Sequence, residues 1–377
     1  MRRRFIIHKG FTETFDFNNY LTIEALEDNL TVTFSNDIEY GIDGNGWMKL
    51  RAYRETSPIN TGQTLSFRGE FIPSTAKGIG AFTINKKCNL KGNCMSMLFG
   101  DNAVNNYSLS GKDWAFYRLF YNCSNIVNID SNFLPATTLA SDCYESMFEN
   151  CKSLTTAPSL PATTLASGCY SYMFSGCKSL TTAPALPATT LANNCYYQMF
   201  GYCTNLTTAP ELPTTTLASG CYNYMFSGCT NLTAAPALPA TALADYCYSN
   251  MFSGCTNLTT APAITAAKLA SNCYSYMFSD CKSLTTAPEL PAKTLMSYCY
   301  ERMFMNCTKL NYIKMLATNI SATGCLSNWV NGVSSTGTFV KNKRMTSLPT
   351  GVSGIPSGWT VNNFVIPIFP GGGGAGN

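Results

Sequence analysis

The sequence predicts a mixed α/β solenoid joined at its N-terminal side to an all-β domain. Three observations carry this expectation. The segment CYxxMFxxC recurs every 26 residues, beginning at Cys143, Cys169, Cys195, Cys221, Cys247, Cys273 and Cys299. Each copy runs into a Leu-Thr-rich linker punctuated by proline. Residues 20–85 have a different texture, with β-forming runs separated by turn residues. A fixed period of about 20–50 residues marks stacked units, none of which can bury its apolar face alone.

Taken in order, the chain divides into an N-terminal arm (1–19), a β-sandwich-like domain (20–85), a repeat column (86–345) with degenerate end repeats, and a C-terminal cap with a Gly-rich tail (346–377). In the β domain, LTIEAL, LTVTF, IEYGI, WMKLRAY and QTLSFRGEF alternate or cluster β-formers. Asp43-Gly44-Asn45-Gly46, between 38–42 and 47–53, is the strongest hairpin signal in the chain. Such a domain also suits a cover for the open end of a repeat stack, whose strand edges would otherwise invite association.

Within a repeat, Cys169, Tyr170, Met173, Phe174 and Cys177 cover an arc of roughly 140° on a helical wheel, so one short helix per coil is expected. The following Leu180-Thr-Thr-Ala-Pro-Ala-Leu186-Pro187 reads as extended, because Pro187 stops any helix running back through it, and supplies one short strand per coil. Parallel pairing of those strands at ~4.8 Å gives a rod section on the order of 40 Å. The proline inside LTTAP removes a ladder hydrogen bond and leaves the strand register open. Residues 94–99, 115–120 and 325–330 are degenerate copies, as terminal repeats should be. At the C-terminus, VNNFVIPIFP followed by GGGGAGN is either a frayed end or a strand able to add to a partner's sheet.

Charge and composition exclude several classes. With 25 Lys and Arg against 21 Asp and Glu, the net charge is +4, which gives no pull toward nucleic acid. The longest late apolar run, 364–369, is broken by Pro367 and falls far short of the ~20 residues a membrane helix needs. MRRRFIIHKG lacks the apolar core of a secretory signal, and Arg2, Arg3 and Arg4 read as a solvated arm or a docking element. The single histidine, His8, would have to serve any histidine-based triad or metal site, so histidine catalysis is not expected. Sixteen of the eighteen cysteines fall in two ladders, eight residues apart within a repeat, where zinc motifs need pairs two to four apart. They read as buried thiols, with no metal and no cofactor implied. A local Cys88–Cys94 bridge stays open.

The run Met173-Phe174-x-x-Cys177-x-x-Leu180-Thr-Thr-Ala183, followed by Leu186-Pro187, resembles the BspA-like leucine-rich repeat. The resemblance spans residues 94 to about 345, with a 26-residue unit in place of the family's usual 23 and Ala-Pro in place of isoleucine and a polar residue. It implies a non-enzymatic recognition or adhesion module of the kind found in gut bacteria and their phages. The absent export signal then favours a virion component, a fibre or surface decoration, over a bacterial surface adhesin or protein-binding scaffold. The implied partners are a host-surface glycan or protein, and other virion proteins through the arm or tail. Self-association stays open.

Because the repeats can be compared with one another, freely varying positions mark the outward surface. These are the two residues before CY, the two after it and the two after MF. They carry Tyr172, Tyr197, Tyr202, Tyr224, Tyr246, Tyr276, Tyr298 and Arg302, with Ser, Asn, Gly and Asp between them. Tyrosine among small polar residues is the composition of antibody paratopes, so this face is the candidate ligand-binding surface. The alternative is neutral drift on a solvated face. The invariant tyrosines, from Tyr144 through Tyr170 to Tyr300, lie on the apolar arc and read as core. Acids such as Glu145, Glu149, Asp280 and Glu301 have no repeated acid partner, which argues against a carboxylate-pair enzyme.

Overall fold

The computed structural model describes residues 19–69, 71 and 80–364. The basic arm, His8 and the glycine tail lie outside them. Strands β1 (Leu21–Ala25), β2 (Val32–Phe34), β3 (Ile38–Ile42), β4 (Met48–Leu50), β5 (Thr64–Arg68), β6 (Phe82–Ile84), β7 (Cys88–Gly92) and β8 (Ile126–Ile129) make up the N-terminal β region. Its main sheet runs β4-β3-β5-β1-β7-β8, and β2 pairs with β6 in a separate ribbon. The expected hairpin forms: β3 and β4 are antiparallel, and Asp43, Gly44 and Gly46 take positive φ in the connection. Phe34 and Phe82 of the ribbon pack against each other with centroids 4.5 Å apart, and Phe82 meets Phe67 of the sheet at 5.2 Å.

Pairing in this sheet is antiparallel until its last step, where β7 and β8 run parallel. That step starts the stack. Phe82 also lies flat on Phe120, centroids 4.9 Å apart, so one core continues from the β region into the column.

The helix expected in each coil is absent. Among the described residues the only α-helix is α1 (Ser96–Phe99), followed by a 3-10 turn at Gly100–Ala103. CYxxMFxxC instead folds as a chain of overlapping turns. In the coil from Cys169, the amides of Ser171, Met173, Ser175 and Cys177 donate to the carbonyls three residues back. The alternate amides, from Gly168, Tyr170, Tyr172, Phe174 and Gly176, donate to the next coil at Asn193, Cys195, Tyr197, Met199 and Gly201. Every donor along the segment is thereby satisfied without an i→i−4 bond. Every fourth residue is left-handed, as at Gly168, Tyr172 and Gly176 (φ 59°, 56° and 73°), a conformation that cannot sit inside an α-helix.

One strand per coil is likewise not what forms along the middle of the column. There the linkers meet through single parallel bridges, such as Thr164↔Thr190, Thr182↔Thr208 and Ala234↔Thr260. Pro184, Pro210 and Pro236 have no N–H with which to extend the ladder. Where the sequence drops the proline, in Asn311-Tyr-Ile-Lys-Met315, strands return: β9 (Tyr312–Met315), β10 (Thr338–Asn342) and β11 (Thr360–Phe364) form a parallel sheet in the order β11-β10-β9. The last coil is closed by two indoles. Trp329 Nε1 donates to the Gly354 carbonyl at 2.8 Å and Trp359 Nε1 to that of Ser334 at 2.7 Å.

The interior follows the expected ladders. Tyr144, Tyr170, Tyr196, Tyr222, Tyr248, Tyr274 and Tyr300 are buried, and neighbours such as Tyr196 and Tyr222 stack at 5.8 Å with planes 5° apart. Phe200 and Phe226 repeat that geometry, at 5.8 Å and 5°. Each ring pair contributes roughly 0.5–1.5 kcal/mol beyond its area burial. All eighteen cysteines are buried, unbridged thiols, Cys88 and Cys94 included. The second cysteine of each repeat also ties coils together, since Cys203 Sγ donates to the Phe174 carbonyl and Cys229 Sγ to that of Phe200, both at 3.1 Å. A small, apolar side chain with a weak donor is what that position requires.

Candidate functional site

The turn geometry decides what the outer face can present. In each coil three positions are left-handed: the residue before the first cysteine, the third residue after it, and the residue before the second cysteine. Glycine and asparagine sit there at little cost, and the sequence uses them often, as in Gly168, Asn194, Gly220 and Asn272. A tyrosine at such a position costs about 1 kcal/mol or more. Seven of the eight sequence-predicted site residues occupy these positions, with φ between 47° for Arg302 and 60° for Tyr202; Tyr197 is the exception.

The structure sorts those eight into three columns. The middle column carries Tyr172, Tyr224, Tyr276 and Arg302, with Tyr197 beside it. Tyr172 and Tyr197 rings lie 5.1 Å apart and Tyr197 and Tyr224 5.8 Å apart, so three coils share one aromatic patch. Asn250 fills the next coil. Tyr276 then pairs with Arg302, whose guanidinium lies 5.3 Å from the ring centroid and donates through Nη1 to Tyr276 Oη. Tyr202 stands in a flanking column, 54% exposed and leaning over Gly228, where a Cβ would collide with its ring. Tyr246 and Tyr298 stand in the opposite flanking column, also exposed, and Tyr298 leans over Gly324 in the same way. The structure therefore joins Tyr172, Tyr197 and Tyr224 directly, pairs Tyr276 with Arg302, and leaves Tyr202, Tyr246 and Tyr298 apart from both.

The strip ends in acid. A pocket of about 230 Å³ beside Tyr172 and Tyr197 is lined also by Asp142, Glu145, Ser171 and Asn194. Burial, reinforced by the Asp142 carboxylate, pushes the Glu145 carboxyl up to about 7. Burial also raises Glu149. Next to them the Arg118 guanidinium lies over Tyr117 and Tyr121, 5.0 and 4.8 Å from their centroids. Asp142 and Arg118 do not stand out in the sequence, where only acids repeated from coil to coil would signal a pair. Asp142 and Glu145 instead meet inside one coil, brought together by the turn in which the Glu145 amide donates to the Asp142 carbonyl at 3.1 Å.

Burial pushes the Tyr172 phenol up, with the Tyr197 neighbour adding to it, and raises that of Tyr224. These hydroxyls stay protonated and serve as donors. Burial raises the core thiols too, Cys203 and Cys229 among them, which suits packing and not nucleophilic chemistry. Among the described residues no group of three or more His, Cys, Asp and Glu is arranged to hold a metal ion. Nor is any helix there long and apolar enough to cross a membrane.

Comparison with known families matches the chain to the BspA type leucine-rich repeat region (6 copies), over residues 117–233, 147–262 and 221–328. No curated protein and no solved structure matches the chain.

Proposed function

The chain belongs to the BspA type leucine-rich repeat family, and from that premise we propose that it is a protein-binding module of the adhesion kind, without catalytic chemistry of its own. Its grip is the strip Tyr172, Tyr197, Tyr224, Tyr276 and Arg302. One observation carries the reading: Tyr172, Tyr224 and Tyr276 hold left-handed backbone that glycine or asparagine would adopt with less strain. Strain of this sort persists where the side chain has a use. Large, amphipathic rings with polar hydroxyl tips are also what dominates protein recognition surfaces.

The proposal extends to where the module works. We assign it to the surface of a phage particle, facing a host cell-surface protein or glycan, with a bacterial surface adhesin as the second reading. The eighteen unbridged thiols favour the first, since they suit assembly in a reducing compartment.

The test is retention of the purified chain by intact bacterial cells. Serine at Tyr172, Tyr197, Tyr224 and Tyr276 together should abolish retention while thermal unfolding stays nearly unchanged. Protease stripping of the cells should do the same if the partner is a protein. Retention that survives the four substitutions would move the contact off the strip.

A further inference from the structure

We propose that the junction between the N-terminal sheet and the first coils holds a second site, and that this site takes a neutral saccharide. It lies on the linker side of the column, apart from the tyrosine strip.

A pocket of about 590 Å³ opens there, lined among others by Asn19, Tyr107, Asp130, Ser131, Asn132 and Ser159. That volume falls within the ~300–1,000 Å³ typical of small-molecule sites. The repeats themselves show that the pocket is a local departure. The Asn128↔Thr156 bridge and the Ser159 amide donating to the Ser131 carbonyl set the register between the first coil and the second. In that register Asp130 stands where the later coils have Pro158, Pro184, Pro210, Pro236, Pro262 and Pro288. Both coils then resume with Leu-Pro-Ala, at Leu134 and Leu160, so Asn132-Phe133 is a two-residue insertion.

The insertion is anchored. Phe133 is buried between Phe120 and Phe148, at 6.2 and 6.3 Å, its amide donates to the Asp130 carbonyl, and its own carbonyl accepts from Cys94. A rigid turn thus holds Asp130, Ser131 and Asn132 at the pocket wall. Their side chains, with that of Ser159, make no hydrogen bond or ion pair among the described residues. Tyr107, 51% exposed, completes the lining together with Val104.

The chemistry selects the ligand. A carboxylate, amides and hydroxyls beside one aromatic ring match vicinal sugar hydroxyls together with the apolar face of a pyranose. Among the described residues no lysine or arginine lines the pocket, so a phosphate, sulfate or sialic acid would meet only the Asp130 carboxylate there. A single carboxylate with a single ring is a poor cage for an ammonium group.

The experiment presents the full chain to immobilised oligosaccharides ending in glucose, galactose, mannose, fucose or N-acetylhexosamines, with sialylated and sulfated glycans and a lysine-rich peptide as contrast. The expected result is retention on one or more neutral glycans, weakened roughly ten-fold or more by Asp130→Ala and by Tyr107→Ala, since each removes a direct contact. Tyr172→Ser, on the strip, should leave that retention unchanged, so the two sites fail separately. Three outcomes would overturn the proposal: no neutral glycan retained, binding only to the anionic glycans or the peptide, or glycan binding that ignores Asp130 and Tyr107.

Discussion

The two sides of each coil are built on different terms. On the turn side of the coil from Cys221, the amides of Gly220, Tyr222, Tyr224, Phe226 and Gly228 all bond to the next coil, and those between them close turns. On the linker side of the same repeat the tie is sparse: the Thr259 amide of the next coil donates to the Thr233 carbonyl at 3.1 Å, and single bridges join Ala234 to Thr260 and Ala242 to Lys268. Proline removed the donors from one side and turn chemistry added them to the other. The lesson is that cohesion and the proposed tyrosine strip share a side. The turns that lock the coils together also push every fourth residue outward in a left-handed conformation, and that is where the tyrosines stand.

Substitutions sharpen this contrast, beginning with the largest effect. Phe226→Ala on the turn side should cost about 3–5 kcal/mol, since it leaves a gap between Phe200 and Phe252 that rigid neighbours cannot close. Chemical denaturation reads it directly, and a loss below about 1 kcal/mol would mean that the ladder does not hold the coils.

A smaller effect arises at the acid end of the strip. Glu145 titrates near 7 in the fold against an ordinary 4.5, so the folded state holds the extra proton between those values and stability falls as pH rises through that window. With the group partly exposed, screening leaves a change of about 1–2 kcal/mol. Glu145→Gln should flatten the slope, and a slope of the opposite sign in the parent would place the carboxyl outside its pocket. Smallest of the three, Thr207→Ala on the linker side gives up one exposed hydroxyl donating to Thr181 and should shift stability by less than ~0.5 kcal/mol.

Much of this was legible in the chain. The 26-residue register, the inward Cys, Tyr, Met and Phe and the Asp43–Gly46 hairpin could all be read from spacing and residue type. The conformation of the coil could not be read by hydrophobic pattern alone. Cys169, Tyr170, Met173, Phe174 and Cys177 repeat with a period of four, and over so short a segment a 3.6-residue helix buries the same set. The discriminating signal was Gly168 and Gly176, Asn194, and Gly220 and Gly228, at positions four or eight apart within their own coils, which are poor helix residues and good left-handed ones. The outer tyrosines were identified by their variability. Their division into one strip and two flanks was not visible, because it depends on which columns face each other once the turns are formed. The Asp142–Glu145 pair and the pocket at Asp130 were missed for a related reason: both are departures from the repeat, and periodicity highlights only what recurs.

The central claim is that tyrosines occupy strained outward turn positions because they bind. It is tested most directly by replacing Tyr172, Tyr224 and Tyr276 together with glycine and measuring both the unfolding free energy and retention by intact bacterial cells. Glycine relieves the left-handed backbone, so the account predicts stability that is unchanged or higher with retention lost. Lower stability with retention intact would contradict it, because the tyrosines would then be structural and the contact elsewhere.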